Sequence, residues 1–211
     1  MDTLWLKEHR KLDISEDEIL YLIEKFKDSE TFLSLDFDSI FWDWMKNVNI
    51  FMAENNLSQI DSMEVTNWNY IIDNFPDASI TWENWQHYVK SGPIDGAIEF
   101  AFILNKIFGD RIQVVTASHD SFTDEKDKLI KEVFGFKKII HTFHKSEHTK
   151  NTILIDDAVH NIKCHAETHK DDVGLLFDNR YGWNQEKIED IYDNVYRLTS
   201  YEDIFRYFRD I

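Results

Sequence analysis

The sequence predicts an α/β fold: a parallel sheet with helices on both faces and a small helical unit inserted after the first strand. Three observations carry this expectation. Apolar runs too short for helices recur around 33–35, 111–118 and 152–156, and each ends in carboxylates or hydroxyls. Segments with helical spacing alternate with those runs. The stretch from about 44 to 90 is rich in Asn and Trp, groups its apolar residues as helices do, and contains little that reads as a buried strand.

Residues 1–30 read as helical. Asp13-Ile14-Ser15-Glu16-Asp17-Glu18 has the caps and early acids of a helix start, and Ile19, Leu22, Ile23 and Phe26 follow at helical spacing. Leu33-Ser34-Leu35-Asp36-Phe37-Asp38 is a buried strand delivering two acids at its C-terminal tip, the edge where open parallel sheets bind ligands. Alternation along the strand starts Asp36 and Asp38 on one side and turns Phe37 away. The helical insertion covers 44–90, so the core comprises 1–43 and 91–211. Ser91-Gly92-Pro93 is a turn, residues 94–108 a helix, and 111–118 a second strand ending in Thr116 and Ser118. A helix carrying Lys126 and Lys128 runs from Thr123 to Phe134, and 138–141 is a short strand. Thr152-Ile153-Leu154-Ile155-Asp156-Asp157 is the clearest strand of all. A helix over 158–169, a strand over 173–177 and a helical tail over 186–211 complete the order, which is Rossmann-like.

Composition narrows the function. The 211 residues suit one domain with an insertion, and 43% hydrophobic content supplies a core. A net charge of -17 disfavours a polynucleotide partner, which needs a basic footprint. Cys164 is the single cysteine, which excludes an internal disulfide and a cysteine-rich zinc site. No stretch is apolar and long enough to span a membrane, and Met1-Asp2-Thr3-Leu4-Trp5-Leu6-Lys7 lacks the pattern of a signal peptide. A cytoplasmic protein is expected.

Strand ends thus carry Asp36 and Asp38, Thr116 and Ser118, and Asp156 and Asp157, with lysines at 145 and 150 just before the last pair. This set suits phosphoryl transfer through a covalent intermediate. A carboxylate can attack phosphorus and divide one hard step into two. Four carboxylates converging on a dianion need a cation, and Mg²⁺ suits an all-oxygen donor set. A lysine and a hydroxyl would hold the phosphoryl oxygens, and Asp38 would protonate the leaving alcohol and then activate water.

The set resembles the haloacid-dehalogenase-like phosphohydrolase superfamily. Asp36-Phe37-Asp38-Ser39-Ile40 is similar to its first motif, Val114-Val115-Thr116 to its second, a lysine at 145–150 to its third, and Ile153-Leu154-Ile155-Asp156-Asp157 to its fourth. Within it, Pro93-Ile94-Asp95-Gly96-Ala97, Asp156-Asp157-Ala158-Val159-His160-Asn161-Ile162, Gly174-Leu175-Leu176-Phe177-Asp178 with Asn184, and the insertion resemble the 5′(3′)-deoxyribonucleotidase and 5′-nucleotidase branch. Ile40 departs from the usual Thr or Val of that motif. The resemblance implies Asp36 as nucleophile, Asp38 as acid/base with its backbone carbonyl on the metal, Thr116 as a phosphoryl donor, and one or both of Asp156 and Asp157 as metal ligands alongside Asp36. Lys145 is favoured as the catalytic lysine, with Lys150 as the other candidate.

The expected activity is Mg²⁺-dependent hydrolysis of a phosphoric monoester, with a (deoxy)nucleoside monophosphate as substrate. Another small phosphoester, a polynucleotide end, or a non-catalytic binding module of the same fold are the alternatives. Ser118 and Lys150 are candidate substrate-binding residues. Trp42 and Trp44 are candidates for stacking on a base, against the plainer reading that the tryptophans at 42, 44, 68, 82 and 85 form a small core. His165 and His169 stand one helical turn apart and read as solvated surface rather than a metal pair. Both a monomer and a homodimer remain open.

Overall fold

The computed structural model describes residues 11–67 and 69–211. The parts of the expected N-terminal helix before residue 11, and Trp68, lie outside them. Six strands form one sheet in the order β3-β2-β1-β4-β5-β6, every neighbouring pair parallel: β1 is Phe32–Leu35, β2 Ile112–Thr116, β3 Lys138–His141, β4 Thr152–Asp156, β5 Val173–Phe177 and β6 Val195–Leu198. The first described helix, α1 (Glu16–Phe26), begins at Ser15, whose hydroxyl accepts from the Glu18 N–H. That cap satisfies one of the orphan donors of the first turn, and Leu22 and Phe26 then face the core.

The chain runs β1, β2, β3 towards one edge, then returns to the far side of β1 for β4, β5 and β6. A crevice opens where the order reverses, between β1 and β4 at their C-terminal ends. Register brings the acids there: Leu35 pairs with Ile155, and the Asp36 N–H donates to the Ile155 carbonyl at 2.8 Å. The next residues, Asp36 and Asp156, therefore leave the sheet side by side. Because β2 and β4 are covered on both faces, all five residues of each are buried, which accounts for their unbroken apolar runs.

Helices α6 (Ala97–Phe108) and α9 (Tyr201–Asp210) pack in the same core cluster as β1 and the turn that follows it. That turn, Phe37 to Trp42, is closed by Ser39 in the left-handed region at φ 63°. Ile40 is fully buried within it, and its carbonyl accepts from the Tyr201 hydroxyl at 2.5 Å. Between β2 and β3, α7 (Thr123–Leu129) continues as a π-helical turn, Ile130–Phe134. Helix α8 (Val159–Thr168) follows β4.

Helices α2 (Trp44–Glu54), α3 (Asn69–Asn74) and α4 (Ile80–Glu83) contribute to a second apolar cluster including Trp44, Met45, Val48, Met52, Ile60 and Ile71, whereas α5 (Trp85–Tyr88) packs its Tyr88 and Trp85 into the main core. Tyr181, from the loop after β5, completes that cluster.

Two expectations are corrected. The stretch 186–211 is not one helical tail, because β6 pairs along β5 before α9 begins at its Ser200 cap. Only Val195 of this four-residue edge strand is buried, so it shows no continuous apolar run, and Arg197 turns to Asp178 and Glu189 instead. His165 is not solvated: it is fully buried on α8, with Nδ1 2.9 Å from the Thr149 hydroxyl.

Burial, aided by nearby His169, lowers the His165 pKa to about 4. The folded protein therefore keeps this ring neutral while the unfolded chain takes up a proton below the ordinary histidine value. Its contribution is intact above about pH 6.5 and is lost as pH falls towards 4, by about 2 kcal/mol between pH 7 and pH 5. In urea unfolding, the stability advantage of the wild type over His165→Gln should shrink by that amount across this interval.

Candidate active site

The crevice gathers Asp36, Asp156 and Asp157, all buried, with one carboxylate oxygen from each lying within 4.8 Å of the others. Lys145, on a 3₁₀ turn before β4, reaches between two of them, its Nζ 2.7 Å from Asp36 Oδ2 and 2.7 Å from Asp156 Oδ2. Further oxygens of the three acids are held from nearby backbone and side chains. Asp36 Oδ1 accepts from the Phe37 N–H at 2.7 Å, and Asp156 Oδ1 accepts from the Ala158 N–H at 2.8 Å. Asn161, one turn into α8, donates to Asp156 at 3.1 Å. The Trp183 indole N–H donates to Asp157 Oδ2 at 3.0 Å.

The charges do not cancel. Burial raises the Asp36 pKa despite the attraction of Lys145. Burial, then the charges of Asp156 and Asp36, lifts that of Asp157 well above the carboxylate range. Burial works against the Lys145 ammonium, yet Asp156 and Asp36 outweigh it and raise its pKa above that of an ordinary lysine. Three acids beside one ammonium cannot all stay ionised in a low-dielectric crevice, and a divalent cation would supply the positive charge that lets them do so. The donors are hard carboxylate oxygens with no sulfur or imidazole among them, so the residues fit such an ion.

Asp38 lies just beyond, its side chain 25% exposed. Its Oδ1 accepts from the Tyr88 hydroxyl at 2.5 Å and its Oδ2 from Lys126 Nζ at 2.7 Å. Burial, then the Asp38 charge, raises the Tyr88 pKa well above that of an ordinary phenol, so the hydroxyl keeps its proton to donate. Lys126 also donates to Thr116 Oγ1 at 3.0 Å and to the Ala117 carbonyl at 2.9 Å, tying the end of β2 to Asp38.

The structure therefore brings Asp36, Asp38, Thr116, Lys145, Asp156 and Asp157 to one edge of the sheet. Ser118 stands close by, partly buried, with its hydroxyl 2.9 Å from His141 Nδ1 and 2.8 Å from the Ala117 carbonyl. Lys150 is exposed at the turn before β4 and makes none of these bonds. Trp42 is buried, its ring stacked with Phe37 and Tyr88 and its indole N–H donated to the Tyr88 carbonyl. Trp44 is buried in the insertion's core beside Trp82 and Trp183. Both rings are thus taken up by packing.

Sequence reading did not single out Lys126, Tyr88 or Trp183 for the site. Lys126 shares a charged helix with Lys128, and only the fold shows which of them turns inward. Tyr88 and Trp183 are two among many aromatics, and no spacing relates them to the acids. Asn161 carried a signal, since it follows the Asp156-Asp157 pair by one helical turn.

Gly182 shows how closely the Trp183 loop meets the insertion. A Cβ there would lie 2.5 Å from the Met63 carbonyl oxygen and 2.9 Å from that of Val65. Backbone cannot yield as a side-chain tip does, so Gly182→Ala should cost about 1–3 kcal/mol in urea unfolding.

No known family description and no curated protein sequence matches the chain. Solved structures do match. A haloacid dehalogenase-like family hydrolase from Streptococcus pneumoniae superposes with a TM-score of 0.57 at 14% identity, over 84% of this chain and 98% of that one. A HAD-superfamily hydrolase of subfamily IA from Geobacter sulfurreducens gives 0.48 at 11% identity, over 84% and 96%. A HAD-superfamily hydrolase from Ehrlichia chaffeensis gives 0.46 at 14% identity, over 85% and 96%. The chain has the fold of haloacid-dehalogenase-like hydrolases.

Proposed function

We propose that this protein is a Mg²⁺-dependent phosphomonoesterase that works through an aspartyl phosphate on Asp36. The observation that carries the reading is the buried cluster at the switch point: Asp36 beside Asp156 and Asp157, with Lys145 bonded to the first two. A receptor for a neutral ligand would not bury three acids around one lysine, because each buried charge costs several kcal/mol unless something pairs with it (order of magnitude). A cation together with a dianionic phosphoryl group supplies such pairing.

Asp36, Asp156 and Asp157 would hold the ion, joined by the Asp38 backbone carbonyl, and the bound ion would offset charge on the phosphoryl oxygens. Asp36 attacks phosphorus as the bond to the leaving oxygen breaks. Asp38 gives that oxygen a proton, and takes one back from the water that later hydrolyses the acyl phosphate. Lys145 and Thr116 steady the remaining phosphoryl oxygens. Trp183 orients Asp157, as outer-shell donors do for metal-binding carboxylates.

The substrate is a small phosphomonoester, with a (deoxy)nucleoside monophosphate as the first choice. Support for the nucleotide comes from the sequence likeness around 93–97, 156–162 and 174–184. The net charge of -17 weighs against a polynucleotide end. Since Trp42 and Trp44 are packed inside, a base would rest against other residues. Among the described residues no helix is long and apolar enough to cross a membrane.

Phosphate release should be measured over a panel of nucleoside monophosphates and sugar phosphates, with Mg²⁺ and with EDTA. Turnover should require the metal, and Asp36→Asn should lower kcat by roughly three orders of magnitude or more while leaving the thermal unfolding profile in place. Full activity in Asp36→Asn would remove the nucleophile assignment.

A further inference from the structure

Asp38 is the acid least enclosed by its own surroundings, yet it is the most tightly addressed by distant parts of the chain. It stands beyond the end of β1 on the turn closed by Ser39, which fixes its backbone. Its side chain would be free to rotate but for two donors. The Tyr88 hydroxyl arrives from the last turn of the insertion and Lys126 Nζ from α7, one on each carboxylate oxygen, at 2.5 and 2.7 Å.

Both donors are more deeply buried than the group they hold, Tyr88 at 2% and Lys126 at 1% exposure. Neither has slack. The three protons of Lys126 match three acceptors, namely Asp38, the Thr116 hydroxyl and the Ala117 carbonyl. Its ammonium also lies 5.6 Å from the Phe37 ring centre and 5.4 Å from that of Tyr88, a placement that favours a cation. The Tyr88 ring stacks with Trp42 and Trp85 and tilts against Phe122, while its carbonyl accepts the Trp42 indole N–H. It cannot swing away without breaking several of these contacts.

We infer that Tyr88 and Lys126 are positioning residues for Asp38, and that the insertion, through Tyr88, fixes the direction of the carboxylate that serves the leaving oxygen and the attacking water. This rests on the phosphomonoesterase reading of the same site. A carboxylate bonded at both oxygens has given up its other orientations before substrate arrives, so less ordering is needed at the moment of reaction. Phosphoryl binding is handled elsewhere, by Lys145, Thr116 and the metal-binding acids. The consequence of loosening Asp38 therefore falls on turnover rather than on affinity. If Tyr88 served only to satisfy its own buried hydroxyl, losing that hydroxyl would lower stability and leave turnover alone.

Tyr88→Phe separates these outcomes, since it keeps the stacked ring and removes only the hydroxyl. On whichever phosphoester the wild type hydrolyses, kcat should fall roughly tenfold, the worth of one hydrogen bond to a charged group, while KM changes by less than about twofold. Lys126→Met should also lower kcat, with a rise in KM as well because it releases Thr116, and the double variant should lose less kcat than the product of the two single losses. Where the wild type turns over, an unchanged kcat in Tyr88→Phe overturns the inference and leaves the phosphatase reading standing. Where the wild type hydrolyses no phosphoester, that reading fails, and crystal structures of wild type and Tyr88→Phe decide the inference. Asp38 in a single orientation in the first and several in the second supports it; the same orientation in both overturns it.

Discussion

Lys145 stands between two buried carboxylates, 2.7 Å from each, at the point where the sheet reverses its strand order. Much of the site depends on this arrangement. Register places Asp36 and Asp156 side by side, where in a dry crevice they repel, and Asp157 brings a third carboxyl group. One ammonium holds the first two together but cannot balance all three. Breaking such a buried pair by removing one partner costs about 3–5 kcal/mol, because the charge left behind has no solvent to turn to. The proposed function draws on the same imbalance: a divalent cation would relieve it and, once bound, would offset the charge of a phosphoryl dianion.

Around this centre the chain uses bonds from distant segments to fix each acid. Asp156 is held by the start of α8, Asp157 by Trp183, and Asp38 by Tyr88 and Lys126. Two of these holders, Trp183 and Tyr88, touch the insertion or belong to it. Trp183 packs on Trp44 of the insertion's core, and Tyr88 ends its last helix. The packing of these helices therefore bears on the direction of two carboxylates. A Cβ at Gly182 would run into the Met63 and Val65 carbonyls, which explains a residue without a side chain next to Trp183.

The fold was legible because a parallel sheet buried on both faces leaves short, unbroken apolar runs, and those of β1, β2 and β4 are plain in the sequence. The acids were legible for a related reason: they sit where such runs stop. β6 was not, since an edge strand with one buried residue in four has no such run. His165 was misread because polar neighbours on α8 hid which face the helix turns to β4 and the Thr149 hydroxyl. Lys126 and Tyr88 were out of reach for a different reason. Their meaning lies in contacts across 88 and 50 residues of chain, and no local pattern distinguishes an inward lysine from the solvated one two positions later.

The role proposed for Asp36, as the nucleophile that takes up the phosphoryl group and yields it to water, is tested most directly by covalent trapping. The enzyme turning over its preferred phosphoester should be quenched in acid, digested, and mapped by mass spectrometry for an acyl-bound phosphoryl group. One such group is expected, on the peptide containing Asp36, and none in Asp36→Asn. Turnover that proceeds with the label on another residue, or with no labelled residue in a quench fast enough to catch the intermediate, would contradict it.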